Sequence, residues 1–281
     1  MSRLDTASGI SKRYGVTHVG ANVDSLDIFV RTRPKRIYDL YEISPPPISI
    51  IREHFVGDAF QGYMIVNDKL DLHAIEWLAE MQRACAKMPD SFRLKPSMLH
   101  VGCEYVTETR RQAEALQQHV SRRLRLLHNR QRGIHVIGST HYWSFDPKYP
   151  KRPKQRSLIS YSDLSARTTN ADDAFRLELR LRGEAIKDLE LDDISKIARI
   201  NPYELFDRTM KWVTTDAIRK WAEYQCRKMT FRSDSERERH MKQIIANADR
   251  FSLNVERRFD TSDQRGILEI VPRHLSDVVV R

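Results

Sequence analysis

Apolar residues recur along the chain with two periods, and the switch between them predicts the order of elements. Residues 1–20 are polar and irregular, and the first clear signal is Ser25–Arg31 (SLDIFVR), whose alternation of polar and apolar positions predicts a half-buried strand. Pro45, Pro46 and Pro47 force an extended turn, and the segments ISIIREHF and GYMIV that follow carry β-branched and aromatic side chains suited to strands. In Asp71–Lys87, Leu72, Ile75, Leu78, Ala79 and Met81 fall at helical spacing before Pro89 stops the run, and Leu99–Val106 (LHVGCEYV) returns to period two. Residues 107–132 lack Gly and Pro and place Ala113, Leu116, Val120, Leu124 and Leu127 on one stripe, which predicts a long amphipathic helix capped by Gly133. Strands are expected at Ile134–Ile137, Thr140–Phe145 and Ser157–Tyr161. The clearest strand of all is Phe175–Arg182 (FRLELRLR), with Phe175, Leu177, Leu179 and Leu181 on one face and Arg176, Glu178, Arg180 and Arg182 on the other. Residues 184–232 and 234–250 read as helices, and GILEIV near the end reads as one more strand.

Helices interleaved with strands at hairpin spacing predict an α+β chain: a central, mostly antiparallel sheet flanked by helices, with a helical C-terminal region. The expected division is residues 1–212 as the main domain and 213–281 as a helical extension. Regular βαβ alternation is missing, and the 10 glycines form neither GxGxxG nor GxxxxGK[ST], so nucleotide-driven chemistry is not expected. Cys85, Cys103 and Cys226 lie far apart without CxxC spacing, which argues for buried thiols rather than a zinc knuckle or disulfide framework. No apolar run approaches the roughly 18 residues of a membrane span, and the opening MSRLDTASGISKRYG lacks the apolar stretch of a secretory signal, so a cytoplasmic protein without a membrane partner is expected. The 48 Lys+Arg against 38 Asp+Glu leave a formal net charge of +10, which favours a polyanion, nucleic acid first.

One stretch carries a resemblance. SLISYSDLSAR, a polar loop, and then AFRLELRLRGEAIKDLELDDISKIARINPYELFDR are similar in order and spacing to the catalytic domain of filamentous-phage rolling-circle replication initiators. In that family a strand ending in a nucleophilic Tyr precedes a strand with a Glu flanked by basic residues, then a helical Leu-Phe-Asp. The matching positions are Tyr161, the run from Arg176 to Arg180 around Glu178, and Leu205, Phe206 and Asp207. LHVGCEYV followed by the 107–132 helix resembles the family's acidic strand and long helix, so the likeness spans roughly residues 95–212. Two departures stand out: the His-hydrophobic-His pair common in such initiators is missing, and Asp163 stands where a Lys often follows the nucleophile.

The resemblance implies a Rep-nuclease-like fold acting on replication-origin DNA, single-stranded or in a hairpin, inside a bacterial host cell, with a host helicase and polymerase as further partners. It implies Tyr161 as the nucleophile that nicks one strand, assisted by Mg²⁺ or Mn²⁺. Period-two geometry puts His100 and Glu104 on one strand face and Glu178 on the polar face of another, which makes these three the expected metal ligands. The loop before the Tyr161 strand carries Lys148, Lys151, Arg152, Lys154 and Arg156 with Tyr149 among them, a pattern suited to phosphate contacts and base stacking. His135 and His141 are further imidazoles near the same strands. The alternative reading, favoured by the missing histidine pair, is a catalytically silent, initiator-like DNA-binding regulator.

Overall fold

The computed structural model describes residues 13–31, 50–56, 58–66, 70, 72–87, 93–126, 134–143, 155–164, 173–213, 215–246 and 274–275. Its centre is an eight-stranded sheet built from β1 (Val16–Arg31), β2 (Ile50–Val56), β3 (Ala59–Val66), β4 (Arg93–Thr107), β6 (Ile134–Ile137), β7 (Thr140–Trp143), β8 (Arg156–Leu164) and β9 (Asp173–Arg182). The spatial order is β2-β3-β1-β4-β9-β8-β7-β6, and every neighbouring pair is antiparallel. The expected α+β class with a mostly antiparallel sheet is what the chain adopts. Two helices, α1 (Leu72–Ala86) and α2 (Arg110–Arg123), join the strands. After β9 come three short helices, α3 (Glu184–Asp188), α4 (Ile194–Ile197) and α5 (Pro202–Thr209), and then α6 (Thr215–Cys226) and α7 (Asp234–Ala246).

One sheet face packs beneath helices. Leu99, Val101, Cys103 and Tyr105 of β4 and Phe175, Leu177, Leu179 and Leu181 of β9 are buried there with Ile75 and Leu78 of α1 and Ala113, Leu116 and Val120 of α2. Every second residue of each strand enters this core, so a slip of one register position would turn out the whole apolar row. Gln117 ties several polar groups of the core together. Gln117 of α2 donates from Nε2 to the Ser160 carbonyl at 3.0 Å and the Ser139 carbonyl at 2.7 Å, and accepts from Ser162 Oγ at 3.0 Å. A second, smaller apolar cluster joins Val213, Ile218, Trp221, Ala222, Cys226 and Ile244 in the α6–α7 hairpin. All three cysteines are buried free thiols, as their spacing implied.

Three expectations need correction. The first strand begins at Val16, well inside the stretch read as irregular, because it is a central strand whose Ala21, Asn22 and Val23 are all buried. Buried residues run consecutively from Gly20 to Val23, so polar alternation is lost there, and Gly20 and Asn22 further blur the pattern. The long helix ends at Arg123, and Leu124–Leu126 forms β5, which pairs with β10 (Met210–Trp212) in a separate two-stranded sheet. Leu124 and Leu126 satisfy either period over three residues, so pairing with a segment more than 80 positions away decides the outcome. Arg125 completes the change of direction: its guanidinium donates to the carbonyls of Ser121 (2.7 Å), Leu124 (2.6 Å) and Arg122 (3.0 Å), closing the open end of α2. β10 likewise interrupts the run read as wholly helical between residues 184 and 232. Gly133, Phe145 and the GILEIV segment lie outside the described residues.

Candidate active site

The opposite face of the sheet carries a row of charged and phenolic side chains instead of an apolar layer. Register fixes who meets whom: Gly102 faces Glu178, His100 faces Arg180, and Glu104 faces Arg176 across β4 and β9. Across β8 and β9, Ile159 faces Glu178 and Tyr161 faces Arg176. His100, Glu104, Glu178 and Tyr161 therefore share one face, and Tyr161 sits diagonally from Glu178, a relation that sets Cα atoms roughly 7–8 Å apart.

A bulge in β1 adds a residue that periodicity could not supply. Val23 pairs with Val101 and Ser25 with His100, which leaves Asp24 as an extra residue at this point of the ladder. Bulges re-aim side chains, and the half-buried Asp24 joins His100 and Glu178, one potential ligand atom of each lying within 4.8 Å of the others. In the sequence, the acidic residue before SLDIFVR is the only hint, and it has no distinguishing spacing.

The electrostatics of this row are close to balanced within itself. Glu178 Oε1 lies 2.8 Å from His100 Nδ1, and Arg180 grips the same carboxylate through Nε at 2.8 Å and Nη2 at 3.1 Å. Burial alone would raise the Glu178 carboxyl, but the hydrogen bonds from His100 and Arg180 outweigh it and bring the group down to about 2. Arg176 Nε lies 2.7 Å from Glu104 Oε2, and the same guanidinium is hydrogen-bonded to Tyr161, its carbon 5.7 Å from the ring centre. The Tyr161 phenol is raised above its ordinary value by burial, with Arg176 pulling the other way and the Glu178 and Asp24 carboxylates adding to the rise.

The residues present fit a hard divalent cation. Two carboxylates and an imidazole are a donor set suited to Mg²⁺ or Mn²⁺. With His100 Nδ1 engaged by Glu178, its Nε2 is buried and has no partner among the described residues, the unsatisfied atom a cation would engage. Gly102, between His100 and Glu104 on the same face, presents no side chain opposite Glu178, and a Cβ built there would press on Asn22 Oδ1 at 3.3 Å.

Of the residues expected from sequence, Tyr161, His100 and Glu178 come together on this face. Glu104 shares it but lies outside the cluster and is held by Arg176. His141 points to the helix side, its Nδ1 2.6 Å from Ser121 Oγ, and His135 stands on the β6–β7 hairpin. Arg156 pairs with Asp188 at 3.0 Å, and Asp163 lies 3.9 Å from Arg110. Lys148, Tyr149, Lys151, Arg152 and Lys154 lie outside the described residues.

No family model and no curated protein matches the chain. Among solved structures it is similar to a rolling circle replication initiator protein from Geobacillus stearothermophilus, at 9% identity over 82% of this chain and 97% of that one, with a TM-score of 0.40. It is also similar to an aspartate kinase from Clostridium acetobutylicum, at 11% identity over 64% of this chain and 34% of that one, with a TM-score of 0.18. No helix among the described residues is long and apolar enough to cross a membrane.

Proposed function

We propose that the chain is a replication initiator that nicks origin DNA through Tyr161. The observation that carries this reading is the meeting of Asp24, His100 and Glu178 from three adjacent strands, with Tyr161 on the next strand of the same face. Asp24, His100 and Glu178 would hold the cation, and when bound it supplies Lewis-acid polarisation of the scissile phosphate. Tyr161 Oη gives its proton to solvent water and, as phenolate, attacks phosphorus in line. The Oη–P bond forms as the bond from phosphorus to the 3′ oxygen breaks, and that oxygen takes a proton to become a 3′-hydroxyl. Arg176 faces Tyr161 and offsets the phenolate charge, while Glu104 fixes the Arg176 guanidinium. DNA is the proposed partner, gripped by the basic loop from Lys148 to Arg156, with a host helicase and polymerase acting on the nicked product.

The silent-regulator reading has one observation in its favour: Arg180 and His100 already engage both oxygens of Glu178, a grip that a cation must share or displace. A nicking assay on supercoiled origin plasmid with added Mn²⁺ separates the two. The nuclease reading expects open circles and a covalent protein–DNA adduct with the wild type, and neither with Tyr161→Phe at unchanged DNA affinity. Adduct formation by Tyr161→Phe overturns the nucleophile assignment. Tight origin binding without nicking by the wild type establishes the regulator.

A further inference from the structure

A cavity of about 290 Å³ lies on the outer side of α2, where it meets the start of the described chain and the α6–α7 hairpin; Tyr14, His119, Arg122, Arg123, Ile218 and Ile245 line it. α2 packs its inner side on Ser160 and Ser162, which belong to the face opposite Tyr161 and Glu178. The cavity is therefore separate from the candidate active site, and nothing argued for it depends on nicking.

Its charge is uncompensated. Among the described residues no carboxylate pairs with Arg13, Arg122 or Arg123, and Arg13 stands 5.7 Å from the centre of the Tyr14 ring. Arginines in the last turn of a helix ordinarily serve its free carbonyls. Here Arg125 already does so, with three hydrogen bonds of 3.0 Å or less. The guanidiniums of Arg122 and Arg123 are left for another partner. Burial and the neighbouring Arg122 and Arg13 hold Arg123 below the ordinary arginine value. Burial, then Arg123, Arg13 and Arg122, push His119 down to about 4, so near neutral pH it is an uncharged hydrogen-bonding group.

Two guanidiniums in a cavity also lined by an aromatic ring and two isoleucines match a ligand that carries both an anionic group and a flat or apolar group. We propose that this cavity is a phosphate-ester site, taking a nucleotide phosphate on Arg122 and Arg123 with its base or sugar against Tyr14, Ile218 and Ile245. The volume sits at the lower end of small-molecule sites, which run from roughly 300 Å³ upward, so it suits a single nucleotide unit. That unit comes either from a free nucleotide or from a nucleic-acid strand crossing the helix, and paired guanidiniums recognise the phosphate oxygens of both.

The test titrates the full chain with ATP and, separately, with a ten-nucleotide oligothymidylate in low salt, following heat. At least one probe binds the wild type, and Arg122→Gln/Arg123→Gln weakens it at least tenfold with an unchanged Tm. Ala115 also lines the cavity, and Ala115→Trp, which fills it and keeps its charge, causes a similar loss, so the conclusion does not depend on the double variant alone. Arg110→Gln/Arg111→Gln, at the other end of α2, leaves binding within about twofold. Tighter binding of ATP assigns the free nucleotide; tighter binding of the oligonucleotide assigns the strand. The proposal is overturned if neither probe binds the wild type, if both cavity variants bind as the wild type does, or if Arg110→Gln/Arg111→Gln weakens binding equally.

Discussion

The two sides of the sheet treat arginine differently. On the open face Arg176 and Arg180 each meet a buried carboxylate, Glu104 at 2.7 Å and Glu178 at 2.8 Å. On the helix side Arg122 and Arg123 meet none among the described residues, although the chain as a whole carries 38 acidic residues that could have supplied one. The difference lies in what each region is left to receive. A face whose acids exceed its cations around one point, with Asp24 beside the Glu178–Arg180 pair and an unsatisfied imidazole nitrogen, attracts positive charge. A cavity whose cations repel one another attracts negative charge. Coulomb interactions in partly buried surroundings are several-fold stronger than in water, so small imbalances of this kind decide which ion is taken.

The sharpest break of the comparison is Glu178→Gln, which removes the charge that a hard cation needs at the centre of the open face. Nicking should fall by at least about 100-fold, while binding at the α2 cavity stays unchanged; Mn²⁺ titration of nicking checks the first and ATP or oligothymidylate titration the second. Equal metal dependence in the variant would return Glu178 to a structural ion pair. Next in size is Glu104→Gln. It leaves Arg176 without its carboxylate in a setting about one-fifth exposed, and denaturant unfolding should lose about 2–3 kcal/mol, somewhat under the cost of breaking a fully buried pair. A loss under about 0.5 kcal/mol would mean that Tyr161 and the Leu164 carbonyl suffice to hold Arg176.

A smaller effect follows from pH. Glu178 is depressed from 4.5 to about 2, so its pairing contributes stability that is fully present above about pH 4.5 and is lost as pH falls towards 2. The Tm of the wild type should therefore drop more steeply between pH 5 and pH 2.5 than that of Glu178→Gln; parallel curves would exclude this contribution. Smallest is Arg125→Met, which keeps the aliphatic stem but removes the donors that close α2. Unfolding should show a loss of about 1–2 kcal/mol, the range for a few unmade hydrogen bonds with water partly replacing them. A neutral result would free Arg122 or Arg123 to serve those carbonyls and would weaken the contrast between the two regions.

Much of the candidate site was legible because strands are periodic. FRLELRLR states its own two faces, LHVGCEYV states His100 and Glu104, and the burial of Leu177, Leu179 and Leu181 follows from the alternation alone. Asp24 was not legible. Its place in the cluster depends on one unpaired position in β1 against β4, and a bulge leaves no mark on the sequence of a strand whose alternation consecutive buried residues have already blurred. The α2 cavity was half legible: its arginines are plain in the sequence, but so are Arg110 and Arg111 on the same helix, and nothing local separates the two pairs.

The chain by itself therefore determined the alternation of its strands, the apolar stripe of its main helix and the α+β class, because these depend on side-chain spacing within a single element; spacing also put His100 and Glu104 on one strand face, while Tyr161 and Glu178 were marked out by the resemblance to phage initiators. Tertiary structure alone decided the rest. Pairing of Leu124–Leu126 with Met210–Trp212 ended the helix at Arg123, since two three-residue segments far apart gain a ladder that neither can form alone. Register across β1, β4 and β9 chose Asp24 over Glu104 as the third member of the cluster. Packing of the α6–α7 hairpin beside α2 made a cavity beside the exposed Arg122 and the half-buried Arg123. In each case the deciding contact joins residues distant in sequence, and its energy appears only when the intervening chain has folded to bring them together.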